Sequence, residues 1–200
     1  MSAFYKTVRF IVRPIARLMF RIKCVGRENI PKEGAFVLCC NHTSMLDLVL
    51  LVALCPRAIC FMAKKELFKN PILAKIFRGM GAFPVDRGNN DLAAIRTACG
   101  IVKEGKVLGI FPEGTRYRDC KPPREVKPGV AFVTVKTGAD VVPVSIYKQG
   151  KTFPLRRVTI RFGEPIPAEQ LCEGKLSKEK IPEVCDKIHK AITDLWELKF

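Results

Sequence analysis

Apolar residues recur along this chain in two patterns, short continuous runs and helical stripes, and the two alternate. Ala35 to Cys40 is a continuous apolar run bounded by polar residues, the signature of a buried strand. Ala58 to Ala63, Val107 to Phe111, Val141 to Tyr147 and Val158 to Phe162 read the same way. Phe83 to Asp86 is a shorter extended piece. Between these lie helices. One follows Ser44 through the apolar run Leu48 to Leu54, and one opens at Asn70-Pro71 and runs to Arg78. A third spans Asp91 to Lys103, with Leu92, Ile95, Cys99 and Val102 inward and Gly105 ending it. A short helix follows Pro128-Gly129. Ser177 caps a last one, whose stripe is Ile181, Val184, Ile188, Ile192 and Leu195. The alternation predicts an α/β fold, a mixed, largely parallel sheet flanked by helices. Pro143 lacks a donor N–H, so its strand is expected at an edge or a bulge.

The N-terminus has a pattern of its own. On a helical wheel, Phe4, Val8, Ile11, Val12, Ile15, Leu18, Met19 and Ile22 fall within about one third of the circumference. Lys6, Arg9, Arg13, Arg17 and Arg21 fall on the opposite third. This is the pattern of a basic amphipathic helix lying in a membrane interface. Pro14 interrupts it without breaking phase, which predicts a kink or two short helices. The plainer alternative is a surface helix packed on the core. Arginines interrupt every candidate signal-peptide core, and no stretch approaches the ~20 apolar residues of a membrane span. The expected organisation is therefore 1–24 as an interfacial helical segment and 25–200 as one α/β domain.

Composition narrows the partners. The 200 residues carry 35 basic and 19 acidic side chains, a net charge of +16, and 48% are hydrophobic, enough for a sizeable core. Such a balance calls for anionic partners: nucleic acid, anionic lipid or phosphorylated substrates. Aromatic residues are only 8%, no basic patch is interleaved with stacking residues and no recognition motif occurs, so nucleic acid is not expected. The nine cysteines are odd in number, several lie inside apolar runs, and none forms a Cys-x-x-Cys. They read as free thiols in a reducing cytoplasm, with no metal site and no bound cofactor expected.

Two stretches carry candidate chemistry. In Asn41-His42-Thr43-Ser44-Met45-Leu46-Asp47, one of only two histidines precedes a carboxylate by five residues. On a regular helix they would diverge by about 140°. Ser44, however, reads as an N-cap with Asp47 three residues on, close to a capping box. His42 then sits in the turn, where its ring can fold back over the first helical turn. An Asp on one ring nitrogen fixes the tautomer in which the other acts as base. Alone, Asp47 could equally be a plain cap and His42 a turn residue bonded to backbone. The second stretch, Phe111-Pro112-Glu113-Gly114-Thr115-Arg116, is a strand running into a turn. Its glycine lets backbone N–H groups approach an anion, and its arginine can grip phosphate oxygens. The alternatives there are local surface ion pairs, Glu113 with Arg116 and, upstream, Asp86 with Arg87. His189, beside the last helical stripe, reads as structural. No Gly-x-Ser-x-Gly elbow occurs, which argues against a hydrolase.

Taken together these stretches resemble the glycerolipid acyltransferase family. Asn41-His42, four residues and Asp47 resemble its first motif, Gly81-Ala82-Phe83-Pro84-Val85-Asp86-Arg87 its second, Phe111 to Arg116 its third and Val142-Pro143-Val144 its fourth. The four stand in order, and the resemblance covers roughly residues 25 to 165, nearest the bacterial-type 1-acyl-sn-glycerol-3-phosphate acyltransferases. Thr43 stands where many relatives have Gln, and Tyr117 where they often have Ser. The resemblance implies that His42 and Asp47 are catalytic. It implies that Arg87, Glu113, Gly114, Thr115 and Arg116 hold the acceptor, a lysophosphatidic acid, and that acyl-CoA or acyl carrier protein is the donor. The expected place is the cytoplasmic face of the cell membrane, peripheral or monotopic. Acylation of glycerol-3-phosphate or another lysolipid is the nearest enzymatic alternative. A basic membrane adaptor without chemistry is the non-enzymatic one.

Overall fold

The computed structural model describes residues 2–86, 91–119, 121–149, 156–174 and 176–199. The elements in chain order are α1 (Ala3–Met19), β1 (Phe20–Val25), β2 (Val37–Cys40), α2 (Leu46–Leu54), β3 (Ile59–Lys64), α3 (Pro71–Gly79), β4 (Phe83–Val85), α4 (Leu92–Lys103), β5 (Val107–Ile110), α5 (Gly129–Thr137), β6 (Val141–Gln149), β7 (Arg156–Phe162), α6 (Ala168–Leu171) and α7 (Lys180–Glu197). The seven strands form one sheet in the order β1-β7-β6-β2-β5-β3-β4. From β6 to β4 all pairs are parallel; β7 runs antiparallel to β6, and β1 runs parallel to β7.

Alternation along the strands separates two cores. Leu38, Cys40, Val144, Ile146 and Ile160 point to one face and pack with α1 and α2. Val37, Cys39, Leu108 and Val141 point to the other and pack with α4, α5 and α7. Every residue of β2 and β5 is buried, as expected of central parallel strands covered on both sides. A side chain on Gly109 would lie 2.5 Å from Phe61, so only glycine fits at that crossing of β5 and β3.

Two of the caps follow the sequence signals, whereas α7 starts after Glu179 with no side-chain cap, not on Ser177. Asn70 accepts from the N–H groups of Ile72 and Leu73, and Asp91 from that of Ala94. Other expectations change or are narrowed. The N-terminal helix stops at Met19, and residues 20–25 form the edge strand β1, because Phe20, Ile22 and Cys24 turn inward with period two. The helix passes through Pro14 as one element rather than two. On α4 the inward side is Ala94, Ala98, Cys99 and Val102, while Leu92 in the first turn is exposed.

Pro143 is a second correction among the strands. It sits in β6, inside the sheet, opposite Cys39 of β2. Its carbonyl accepts from Gly163 N–H, on the β7 side, one residue beyond the last β6–β7 pair at Val144 and Phe162. A strand residue's N–H and C=O point the same way, so the missing donor faces the side where the ladder has already ended. The proline therefore costs no bond to β2.

Candidate active site

The loops leaving β2 and β5 stand side by side, because Cys39 pairs with Ile110 at the carboxyl ends of two parallel neighbours. The carboxyl edge of such a sheet is where α/β folds place their chemistry. The β2 loop carries Asn41 and His42 into α2. Asn41 is buried, and its side chain both donates to the Ile146 carbonyl and accepts from the Ile146 N–H. That amide extends the β2–β6 pairing by one step and fixes where His42 begins.

His42 is held on every side. Its Nδ1 lies 3.0 Å from Asp47 Oδ2. Its ring stacks on Phe111 at 3.9 Å between centroids and 15° between planes. Its backbone N–H donates to Glu113 Oε1 at 3.1 Å, and its carbonyl accepts from Tyr117 N–H at 2.9 Å. The imidazole is thus clamped between α2 and the turn after β5. Only 4% of His42 is exposed.

Asp47, wholly buried, is more than a cap. Oδ2 also accepts from the backbone N–H groups of Thr43 at 2.6 Å and Ser44 at 2.7 Å. Ser44 Oγ accepts in return from Leu46 N–H, so the expected capping box forms with its partner shifted by one residue. The other oxygen, Oδ1, pairs with the ammonium of Lys148 from β6. Burial pushes the Asp47 carboxyl up, but the hydrogen bond from His42 and the Lys148 charge outweigh it and bring its pKa down to about 2. Asp47 is an anion at any working pH.

Glu113 is buried and faces inward, onto the His42 backbone. Burial raises its pKa to about 7, against the hydrogen bond from His42 N–H and with help from the Asp47 charge. Gly114 has φ +71°, and a Cβ there would lie 2.8 Å from the Lys127 side chain. The turn therefore requires glycine twice over, for its backbone and for the lysine stem crossing it. Thr115 and Arg116 are exposed on the turn. Arg87, two residues beyond the carboxyl end of β4, lies outside the described residues.

The structure thus brings His42, Asp47 and Glu113 together, with Gly114, Thr115 and Arg116 on the adjoining turn. Sequence reasoning missed Lys148 and the stacking role of Phe111. The signal for Lys148 was present: it is in phase with Val142, Val144 and Ile146, on the buried face of the strand. His189 is bonded through Nε2 to the Pro123 carbonyl at 3.0 Å, a structural contact. Among the described residues no cluster of three His, Cys, Asp or Glu side chains is placed to hold a metal ion.

A buried, oriented imidazole beside a glycine turn with an exposed arginine is placed to take a proton from a hydroxyl brought to it. Comparison with known proteins points to the same chemistry. Residues 21–147 match the family model described as Acyltransferase. The 1-acyl-sn-glycerol-3-phosphate acyltransferase of Bacillus subtilis is 31% identical over 195 residues, covering 96% of each chain. That of Streptococcus pneumoniae is 32% identical over 168 residues, covering 80% of this chain and 61% of that protein. The crystal structure of the 1-acyl-sn-glycerophosphate acyltransferase PlsC from Thermotoga maritima superposes with a TM-score of 0.74 at 28% identity, over 98% of this chain and 80% of that one. The chain belongs to the acyltransferase family.

Proposed function

We propose that this enzyme transfers a fatty acyl group from a thioester donor to the sn-2 hydroxyl of 1-acyl-glycerol-3-phosphate, giving phosphatidic acid for phospholipid synthesis. The observation that carries the reading is the His42–Asp47 pair, its ring held against the turn that bears Glu113, Gly114, Thr115 and Arg116. The substrate assignment is supported by the relatives' names.

In the reaction the acceptor O–H proton passes to His42 Nε2 as the oxygen attacks the thioester carbonyl. The new C–O bond forms, the C–S bond breaks, and the departing thiolate takes the proton back from the imidazolium. Asp47 holds the tautomer and steadies the transient cation. Positioned proton transfer of this kind contributes about 10²–10⁴-fold. Arg116, Arg87 and the N–H groups of the glycine turn bind the acceptor phosphate and set the hydroxyl against Nε2, an orientation effect. The donor is acyl-CoA or acyl carrier protein. The enzyme works at the cytoplasmic face of an anionic membrane, held by the exposed side of α1.

The test is purified protein with labelled acyl-CoA or acyl carrier protein and a panel of lysolipids and glycerol-3-phosphate, the products resolved by mass. Phosphatidic acid should dominate. His42→Ala should lose at least about a hundredfold in rate while remaining folded. Arg116→Ala should raise KM for the phosphate-bearing acceptor about tenfold or more, and leave that for the donor nearly unchanged. An absence of turnover with every acceptor would leave the membrane-adaptor reading in its place.

A further inference from the structure

Lys148 is a lysine in the core. Its side chain is 5% exposed, and it reaches the β2–α2 turn from a strand 101 residues further along the chain. An ammonium has three N–H donors. Here each has a partner: Asp47 Oδ1, Thr43 Oγ1 at 2.7 Å and Ser44 Oγ at 2.9 Å. Both hydroxyls lie near the same carboxylate oxygen, at 3.4 and 3.3 Å. The two oxygens of Asp47 are therefore divided. Oδ2 serves His42 and two backbone N–H groups, and Oδ1 serves Lys148.

We infer that Lys148 is a positioning residue for the His42–Asp47 pair: it locks the carboxylate rotamer and balances its charge, so that His42 remains a neutral base. The argument is electrostatic. A lone buried carboxylate on Nδ1 favours the imidazolium strongly, and a protonated His42 cannot accept the acceptor's proton. A cation on the far oxygen cancels much of that pull, because both partners lie out of water where screening is weak. Among the described residues, Glu113 contacts the His42 backbone N–H, and the thiol of Cys40 feels the Asp47, Glu113 and Lys148 charges. Arg124 and Asp119 act behind Glu113 and pair with each other. None of them touches Asp47 as Lys148 does. The lysine also pulls Thr43 and Ser44 together, which holds the two N–H groups that grip Oδ2.

This rests on the acyltransferase reading, so the test uses one readout that needs no turnover. The chain has two histidines, so a spectrum of protein labelled at histidine Cε1 shows two signals, and His189→Gln assigns them. Lys148→Met should raise the pH at which His42 titrates by about one unit or more, the size expected when a like charge is removed from beside a buried imidazole. The acidic limb of kcat/KM should move up with it, with the rate about tenfold lower near pH 7 and recovering at higher pH. Lys148→Arg, which keeps the charge, should restore the limb with a lower plateau. Lys148→Gln keeps amide donors and serves if the methionine variant does not fold. If neither neutral variant folds, the arginine variant decides: a limb displaced upward with the charge intact overturns the inference. An unchanged His42 titration in either folded neutral variant overturns it too. A shifted titration together with no turnover of any lysolipid by the unaltered enzyme would count against the substrate assignment and leave this inference standing.

Discussion

Asp47 accepts from an imidazole, two backbone N–H groups and an ammonium, and the buried ammonium needs an anion. Asp47→Asn should therefore do two separable things. Turnover should fall by at least about a hundredfold, since the tautomer of His42 is no longer held. Stability should fall by about 3–5 kcal/mol, because Lys148 is left as a buried cation without its counter-ion. Adding Lys148→Met should return much of the stability and none of the activity. Urea melts beside rate measurements check this, and a double variant no more stable than Asp47→Asn would mean the ion pair is not what is lost. Glu113 gives a second residue-scale prediction, with the opposite sign to Asp47. Its folded pKa of about 7 lies above the ordinary 4.5, so the unfolded chain ionises first. Stability is then highest below about pH 4.5 and falls as pH rises to about 7, by about 3 kcal/mol. For Asp47, whose pKa is depressed from 3.8 to about 2, the stabilisation is present above pH 3.8 and lost as pH falls toward 2. Glu113→Gln keeps an oxygen for the His42 N–H. It should flatten the decline in Tm between pH 5 and 8 and leave the acid limb, set by Asp47, in place.

At the scale of elements, α1 is both a core helix and a surface one. Tyr5 is buried, and its hydroxyl accepts from Ile59 N–H at 3.1 Å, at the start of β3. Burial drives the pKa of that hydroxyl to about 12, so it stays protonated. Arg9 donates to the Pro56 carbonyl at 3.0 Å. Tyr5→Phe leaves a buried N–H without its acceptor and should cost about 1–3 kcal/mol. Leu18→Ser on the exposed side should cost no more than about 0.5 kcal/mol. Thermal melts that rank the two in reverse would show that α1 does not dock as described. The same geometry argues against deleting residues 1–23 as a test of membrane binding, since that cut removes Tyr5, Ala16 and most of β1. The strand positions were legible in the sequence because central parallel strands bury both faces and leave an unbroken apolar run. The end of α1 was not legible, because Phe20, Ile22 and Cys24 stay apolar across the change from helical to strand period. The place of Pro143 could not be read either, since it depends on which neighbour its missing N–H faces. Of the site, the approach of Asp47 to His42 was legible from the cap signal Ser44 to Asp47, and the weight of the pair came from the motifs elsewhere in the chain. Lys148 was not found, because the strand was taken to end at Tyr147, one residue short of the lysine that completes the site.

At the scale of the molecule, charge and exposed apolar surface coincide. The net charge is +16, and the exposed apolar residues include Phe10 at 81% and Leu18 at 76% on α1, and Ile72 at 71% on α3. The two helices meet where Phe4 lies against Gly79; a Cβ on that glycine would be 2.7 Å from the ring. No helix among the described residues is long and apolar enough to cross a bilayer. The membrane docking proposed above would use shallow insertion of α1 and α3, aided by Arg13 and Arg17. Each basic residue near an anionic surface is worth about 1 kcal/mol, and the apolar side chains add a part that salt does not screen. The protein should therefore sediment with vesicles rich in anionic lipid, less with neutral ones, and only in part be released by high salt. Arg13→Gln with Arg17→Gln should weaken binding to anionic vesicles alone, most at low ionic strength. Leu18→Ser with Ile72→Ser should weaken binding to both kinds at every salt concentration, and lower turnover of a long-chain acceptor more than that of a soluble short-chain one. Full vesicle binding by the serine variant would mean that these apolar residues do not enter lipid, and that charge alone brings the enzyme to its substrate.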